Sequence, residues 1–189
     1  LIAPTEGELA SGLCGEGRME APENILNILS DQIKKKSSLK DKKILITAGP
    51  TFEPIDPVRF IGNYSSGLMG YSIARAFAER GAEVILVSGP SSLVVDHPKI
   101  FKLDVQTAEE MYHACIQVYD DVDVAILSAA VADFRPKAKQ SEKIKKEHGP
   151  DSIELEATRD ILAELGKRKK KQESTLNVIN KKAKKKKGD

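Results

Sequence analysis

Between Lys43 and Phe134 the chain alternates short apolar blocks with stretches in which apolar residues recur at helical spacing. The first block, "KILITAG" (Lys43–Gly49), is an apolar run rich in β-branched residues, of buried-strand type, and it ends at Gly49 and Pro50. "EVILVSGP" predicts a second strand with a Gly-Pro end, "KIFKLDV" a third, and "DVAILSAAVADF" a fourth that runs into a loop. Over residues 67–80 the positions Met69, Ile73, Ala76 and Phe77 predict one helix face, with Gly81 as its stop. "TAEEMYHACIQVYDD" opens with a capping box, Thr107 with Glu110, and predicts Ala108, Met111, Cys115 and Val118 on a buried face. Strands and helices in this order imply an α/β fold of Rossmann-like class, a mostly parallel sheet with right-handed crossovers and flanking helices.

The flanks are less regular. Residues 1–30 read as a Gly-rich loop followed by a short helix around "PENILNILSDQI". "KKKSSLKDKK" (Lys34–Lys43) is charged and non-periodic, as a linker is, and places a domain boundary there. Residues 50–66 carry Pro50, Pro54 and Pro57, which exclude a continuous helix and predict a long loop. After Phe134 the chain is basic and interrupted by Pro136, Gly149 and Pro150. "SIELEAT" predicts a weaker strand and "RDILAELGKRKKK" a short helix with Thr158 as its N-cap. No internal repeat is visible.

Composition adds limits rather than a function. Apolar residues make up 40% and charged residues 31% of 189, which suits a globular core with a solvated surface. The net charge of +2 gives no general pull towards nucleic acid, although lysines concentrate at Lys167–Lys171 and Lys181–Lys187. Cys14 and Cys115 form no metal-ligand spacing and suggest a reduced, cytoplasmic setting. No apolar run approaches the roughly 18–20 residues that span a bilayer. The start lacks the basic region of a signal peptide, and it lacks an initiator Met, as a piece of something longer would.

In a parallel sheet, ligands bind at the carboxyl ends of the strands. The loop after the first strand ends in "IGNYSSGLMG" (Ile61–Gly70), directly ahead of a helix, where backbone N–H groups and the helix dipole favour phosphate. Gly49, Ser65, Ser66 and Gly67 are candidate phosphate or substrate contacts there, and Asn63 offers both a donor and an acceptor. The plainer alternative is that the serines cap the helix and Gly67 makes a turn. Such a long loop in a compact domain favours function. It carries no G-x-G-x-x-G fingerprint, which counts against a simple dinucleotide site. Small residues from Ser128 to Ala132 would let a ring or ribose lie against backbone, or are merely buried strand. Asp133 is placed to take a ribose hydroxyl or a metal-bound water. "KIKK" (Lys143–Lys146) reads either as a flap that brings ammonium groups to a polyphosphate or as a solvated loop. Arg59 is a clamp for carboxylate or phosphate, or an exposed arginine. His97, His113 and His148 are scattered, and no nucleophile–base pair is visible.

Together and in order, "ITAGPTFEPIDPVRFIGNYSSGLMG", "SAAVADFRP" and "KIKK" resemble the phosphopantothenate–cysteine ligase (phosphopantothenoylcysteine synthetase) domain, the ligase half of bifunctional coenzyme A biosynthesis flavoproteins. The resemblance runs from roughly Asp41 to Ile161. "GELASGLCGEGRM" is similar to the end of the flavin-dependent decarboxylase domain of that family, with Ser11 where the family has a proton-donating cysteine and Cys14 three residues on. The division this implies is residues 1–33 as the decarboxylase remnant, 34–42 as linker and 43–189 as ligase domain. FMN would belong only to the absent decarboxylase part, and decarboxylation by this chain alone is not expected.

The resemblance implies a ligase that joins 4′-phosphopantothenate and L-cysteine through an acyl-nucleotide, with CTP and Mg²⁺ expected over ATP. It places Asn63 on the intermediate with Arg59 assisting, and Lys143 on a flap that helps form it. Ser128, Ala129, Asp133, Asp160 and Ile161 would lie along the nucleotide, with Lys182 and Lys186 as further nucleotide-binding lysines. Asp133 is the one candidate for metal. The family works as a homodimer, and the decarboxylase domain would be a partner on the same polypeptide. After the helix the pattern departs: Gln172 is followed at once by "ESTLNVIN", so the C-terminal part of the domain is expected to be incomplete. Two rival readings are a nucleotide-dependent oxidoreductase, which lacks its fingerprint, and a basic-tailed nucleic-acid-binding module, which lacks clustered aromatics for base stacking. No membrane partner is expected.

Overall fold

The structure, a computed structural model, describes residues 5–8, 14–18, 20–36, 38–145, 152–168 and 174–177. In chain order its elements are β1 (Thr5–Glu8), β2 (Cys14–Arg18), α1 (Pro22–Lys36), β3 (Lys43–Ala48), β4 (Phe52–Pro54), β5 (Phe60–Gly62), α2 (Leu68–Glu79), β6 (Glu83–Ser88), β7 (Ile100–Asp104), α3 (Ala108–Tyr119), β8 (Val124–Leu127), β9 (Phe134–Pro136), β10 (Leu155–Ala157), α4 (Ile161–Arg168) and β11 (Ser174–Asn177).

Five strands form one parallel sheet in the order β11-β8-β3-β6-β7. β3 is central, and its apolar run is continuous because both of its faces are covered. Ile44, Ile46 and Ala48 of β3 pack with Val84, Leu86 and Ile126 against Tyr71, Ala74 and Ala78 of α2. On the other face Leu45, Val87, Ala125 and Leu127 meet Met111, Cys115 and Tyr119 of α3 and Ile161 and Leu165 of α4. Each large side chain fully buried in these layers contributes about 1.5–3 kcal/mol relative to exposure. The Rossmann-like expectation therefore holds, with β11 as a fifth strand.

Several local expectations are corrected. The face of α2 is rotated: Gly70, Tyr71, Ala74 and Ala78 are buried, while Met69 is 54% exposed. The cause is close packing, since a Cβ on Gly70 would come within 2.5 Å of the Ala48 Cβ, and Ile73 and Phe77 pack only at the edge of that core. In α3 the capping box forms as expected, but Tyr112 and Tyr119 are buried and Val118 only partly. The loop of residues 50–66 contains the antiparallel pair β4–β5, with Phe52 and Phe60 stacked 4.0 Å apart. β10 joins β9 in an antiparallel ribbon outside the main sheet. The cap of α4 is Asp160, whose Oδ1 accepts from the Ala163 N–H at 2.9 Å. Thr158 instead donates its hydroxyl to the Ala132 carbonyl at 2.6 Å. Ahead of the sheet, β1 and β2 pair where a loop was expected, and α1 runs through Lys36 into the presumed linker.

Replacing Gly70 with Ala should force α2 away from β3 and lower stability by about 1–3 kcal/mol, the usual cost of overpacking. Thermal unfolding of Gly70→Ala beside Gly70→Ala/Ala48→Gly checks this: the second change should restore only part of the loss, because the Ala48 Cα and the Thr47 carbonyl stay 3.1 Å from the added Cβ.

Candidate functional site

The site grows from the carboxyl end of β3. Gly49 has φ 73° and Gly67 has φ 82°, left-handed values that favour glycine, and their backbones nearly touch. A Cβ on Gly67 would lie 3.0 Å from the Gly49 nitrogen, and one on Gly49 would lie 2.9 Å from the Gly89 carbonyl oxygen. The start of α2, the end of β3 and the end of β6 thus meet backbone to backbone.

Two threonines then bind the β3 end to the loop after β8. Thr47 Oγ1 accepts from the Ser128 and Ala129 N–H groups at 3.0 and 3.1 Å. Thr51, fully buried, accepts from the Ala132 N–H at 2.9 Å. Backbone bonds Ala130 N–H to Gly49 carbonyl (2.8 Å) and Thr51 N–H to Ala130 carbonyl (3.2 Å) complete the seam. Ser128 is buried, and its hydroxyl is the one buried side-chain oxygen without a hydrogen-bond partner among the described residues.

Asn63 lies across this seam. Its Nδ2 donates to the Val131 and Ala130 carbonyls at 3.0 and 3.3 Å, bringing the loop before α2 onto the loop after β8. Ser65 and Ser66 turn their hydroxyls onto the Gly67 and Leu68 N–H groups at 3.2 and 3.3 Å. The N-cap position itself is Gly67, with no side-chain cap. Ser91 holds the Ser66 carbonyl at 2.7 Å.

The flap segment is tied to the same loop. The Asp56 carboxylate is buried and accepts from the Val58 and Arg59 N–H groups, both at 2.7 Å, and from the Ile144 N–H at 3.2 Å. Arg59 gives Nη1 to Asp56 at 3.1 Å and Nη2 to the Ile144 carbonyl at 3.2 Å. Its guanidinium, expected to clamp a ligand, is directed here to Asp56 and the flap. Burial opposes ionisation of Asp56, but the three backbone N–H donors and the Arg59 charge outweigh it and hold its carboxyl below the ordinary range. Lys143 and Lys145, on either side of Ile144, are exposed.

The remaining expected residues are distributed as follows. Ala129 is half-buried on the seam, and Asp133 is exposed just beyond it, with its carbonyl accepting from the Thr158 N–H at 3.0 Å. Asp160 caps α4, and the Ile161 side chain is in the core, so only its backbone can face a ligand. Ser11, Lys182 and Lys186 lie outside the described residues. Among the described residues no three His, Cys, Asp or Glu side chains gather as metal ligands, so Asp133 stands without partner ligands. Cys115 is buried, which pushes its thiol up to about 12, and has no part in chemistry here. No described helix is long and apolar enough to cross a membrane.

Sequence reasoning missed Thr47, Thr51 and Asp56. The signal for Asp56 was present in "IDPVR": an Asp-Pro start favours a turn in which the carboxylate takes the next backbone N–H groups. A buried threonine in a strand carries no such mark.

The arrangement joins the loop before α2, the loop after β8 and the segment carrying Lys143 and Lys145 beside the carboxyl end of β3. The family described as DNA/pantothenate metabolism flavoprotein C-terminal domain matches residues 39–186. The chain is 51% identical over 175 residues to a "Cysteine/Cysteine sulfinic acid decarboxylase" of an unknown prokaryotic organism, covering 90% of this chain and 49% of that protein. It is 49% identical over 175 residues to the "Coenzyme A biosynthesis bifunctional protein CoaBC" of Bacillus subtilis (strain 168), covering 90% of this chain and 43% of that protein. The chain therefore spans about half the length of these curated relatives. The crystal structure of the C-terminal domain of a coenzyme A biosynthesis bifunctional protein CoaBC superposes with a TM-score of 0.63 at 51% identity, covering 72% of this chain and 63% of that one.

Thr51→Val should leave the buried Ala132 N–H without an acceptor and cost about 1–3 kcal/mol, whereas Thr51→Ser should cost much less. Denaturant unfolding of the two variants against the parent distinguishes a lost hydrogen bond from lost packing.

Proposed function

Because the chain belongs to the DNA/pantothenate metabolism flavoprotein C-terminal domain family, we propose that it is a ligase joining 4′-phosphopantothenate to L-cysteine. The reaction proceeds through an acyl-cytidylate. The substrate carboxylate attacks the α-phosphorus of CTP and releases pyrophosphate; the cysteine amine then displaces CMP to form the amide. The observation that carries this reading is the convergence of three separate segments. Asn63 bonds the loop after β8, and Asp56 and Arg59 bond the flap, so amide, small-residue loop and lysines share one end of the sheet.

Each part has a chemical task. The Asn63 amide spends its NH₂ on backbone carbonyls and keeps its oxygen for the substrate. Lys143 supplies positive charge to the phosphates as charge shifts to the leaving pyrophosphate. Ser128, with its unpartnered hydroxyl, and Ala129 flank the nucleotide. Mg²⁺ commonly binds through one or two carboxylates plus substrate phosphates, and Asp133 with the triphosphate fits that donor set; the ion would neutralise phosphate charge. The reading includes a homodimer, since Val58, Phe60 and Tyr64 around the Asn63 loop are 61%, 50% and 109% exposed and offer apolar surface to a second copy.

Pyrophosphate release with CTP, Mg²⁺ and 4′-phosphopantothenate should occur without cysteine and exceed release with ATP. Asn63→Ala and Lys143→Ala should each lower it on the order of 100-fold. A folded chain that releases no pyrophosphate with either CTP or ATP would overturn the reading. Sedimentation should give twice the 20.7 kDa chain mass, and a monomer at working concentration would remove the dimer from it.

A further inference from the structure

We propose that Asp56 is a positioning residue whose carboxylate fixes the Lys143 flap against the Asn63 loop; the catalytic part of this rests on the ligase reading above. The two carboxylate oxygens divide the work. Oδ1 closes the local turn by accepting from Val58 and Arg59, both at 2.7 Å. Oδ2 accepts from the Ile144 N–H, 88 positions away, at 3.2 Å and from Arg59 Nη1 at 3.1 Å. Arg59, oriented by that bond, reaches the Ile144 carbonyl with Nη2 at 3.2 Å.

Both backbone polar groups of Ile144 are therefore held by one side-chain pair, as a strand rung would hold them. A turn needs only the first oxygen. A buried carboxylate is costly unless its remaining lone pairs are satisfied, and here that requirement is met jointly by the Arg59 guanidinium and the Ile144 N–H. Gln140, whose N–H reaches the Ile55 carbonyl at 2.9 Å, ties the flap to the same turn a second time. The lysines adjacent to Ile144 extend from a fixed backbone point, so Lys143 is aimed without an anchor of its own.

Asp56→Asn is the direct test. An amide in this position either points a donor at the Ile144 N–H and the guanidinium or, flipped, breaks the turn. Ile144→Pro is the second variant: it deletes the same hydrogen bond from the flap side and leaves Asp56 and its turn untouched. Cleavage by trypsin after Lys145, a bond both variants retain, should rise roughly tenfold, the effect of losing one hydrogen bond to a charged group. The kcat for pyrophosphate release should fall between roughly 10- and 100-fold, with the KM for 4′-phosphopantothenate little changed. Unchanged cleavage in both variants overturns the anchor. Raised cleavage with undiminished kcat overturns its positioning role. If the parent chain releases no pyrophosphate, the ligase reading fails, and the cleavage rates alone decide whether Asp56 holds the flap.

Discussion

The feature on which the site depends is the backbone contact among Gly49, Gly67 and Gly89, extended by Gly70 on Ala48. At these points a single Cβ would collide with main chain at 3.0 Å or less or with the Ala48 methyl at 2.5 Å. α2 can therefore begin directly over the end of β3, and the loop preceding it is brought across the sheet rather than away from it. The left-handed φ of Gly49 and Gly67 turns the chain into and out of that loop. Removing this closeness would separate Asn63 from the carbonyls of residues 130 and 131, however well its side chain were otherwise placed.

Upon that contact the polar interactions are mostly of one kind: side chains that bind backbone. Thr47, Thr51, Asn63, Asp56 and Arg59 each grip main-chain groups of another segment. Such bonds set the path of a loop and leave the identity of its side chains open. Asn63 and Arg59, both expected to meet a ligand, direct these donors to the framework itself.

This bears on how much could be read from the sequence. Four of the five strands of the main sheet and the helices α2 and α3 are legible because their patterns are local: "KILITAG" is an apolar run, and Thr107 with Glu110 marks a helix start three residues apart. The face of α2 was only partly legible: Ile73 and Phe77 do pack at the edge of the core, but fit against Ala48 seats Gly70 and Ala74 there and leaves Met69 exposed. Thr158 has the composition of a cap, but a tertiary acceptor, the Ala132 carbonyl, takes its hydroxyl, and Asp160 caps instead. The candidate segments stand out by their residue content and their order. Their mutual attachment through Asp56, Thr47 and Thr51 depends on contacts between residues roughly 80–90 positions apart, which no local pattern records.

The strand order has a consequence for how the molecule comes into being. β3, the central strand, is the first of its sheet to be synthesised, and neighbours are added as β6 and β7 on one side, then β8 and β11 on the other. A nascent chain can thus complete the half of the sheet that holds the glycine contact, with α2 seated on it, before β8 exists. The seam between the two loops closes only afterwards, when the threonines find their amides. Long-range parallel pairing of this kind makes folding slow compared with local helix formation. The seam at the carboxyl end of the sheet thus takes shape on a half that is already in place.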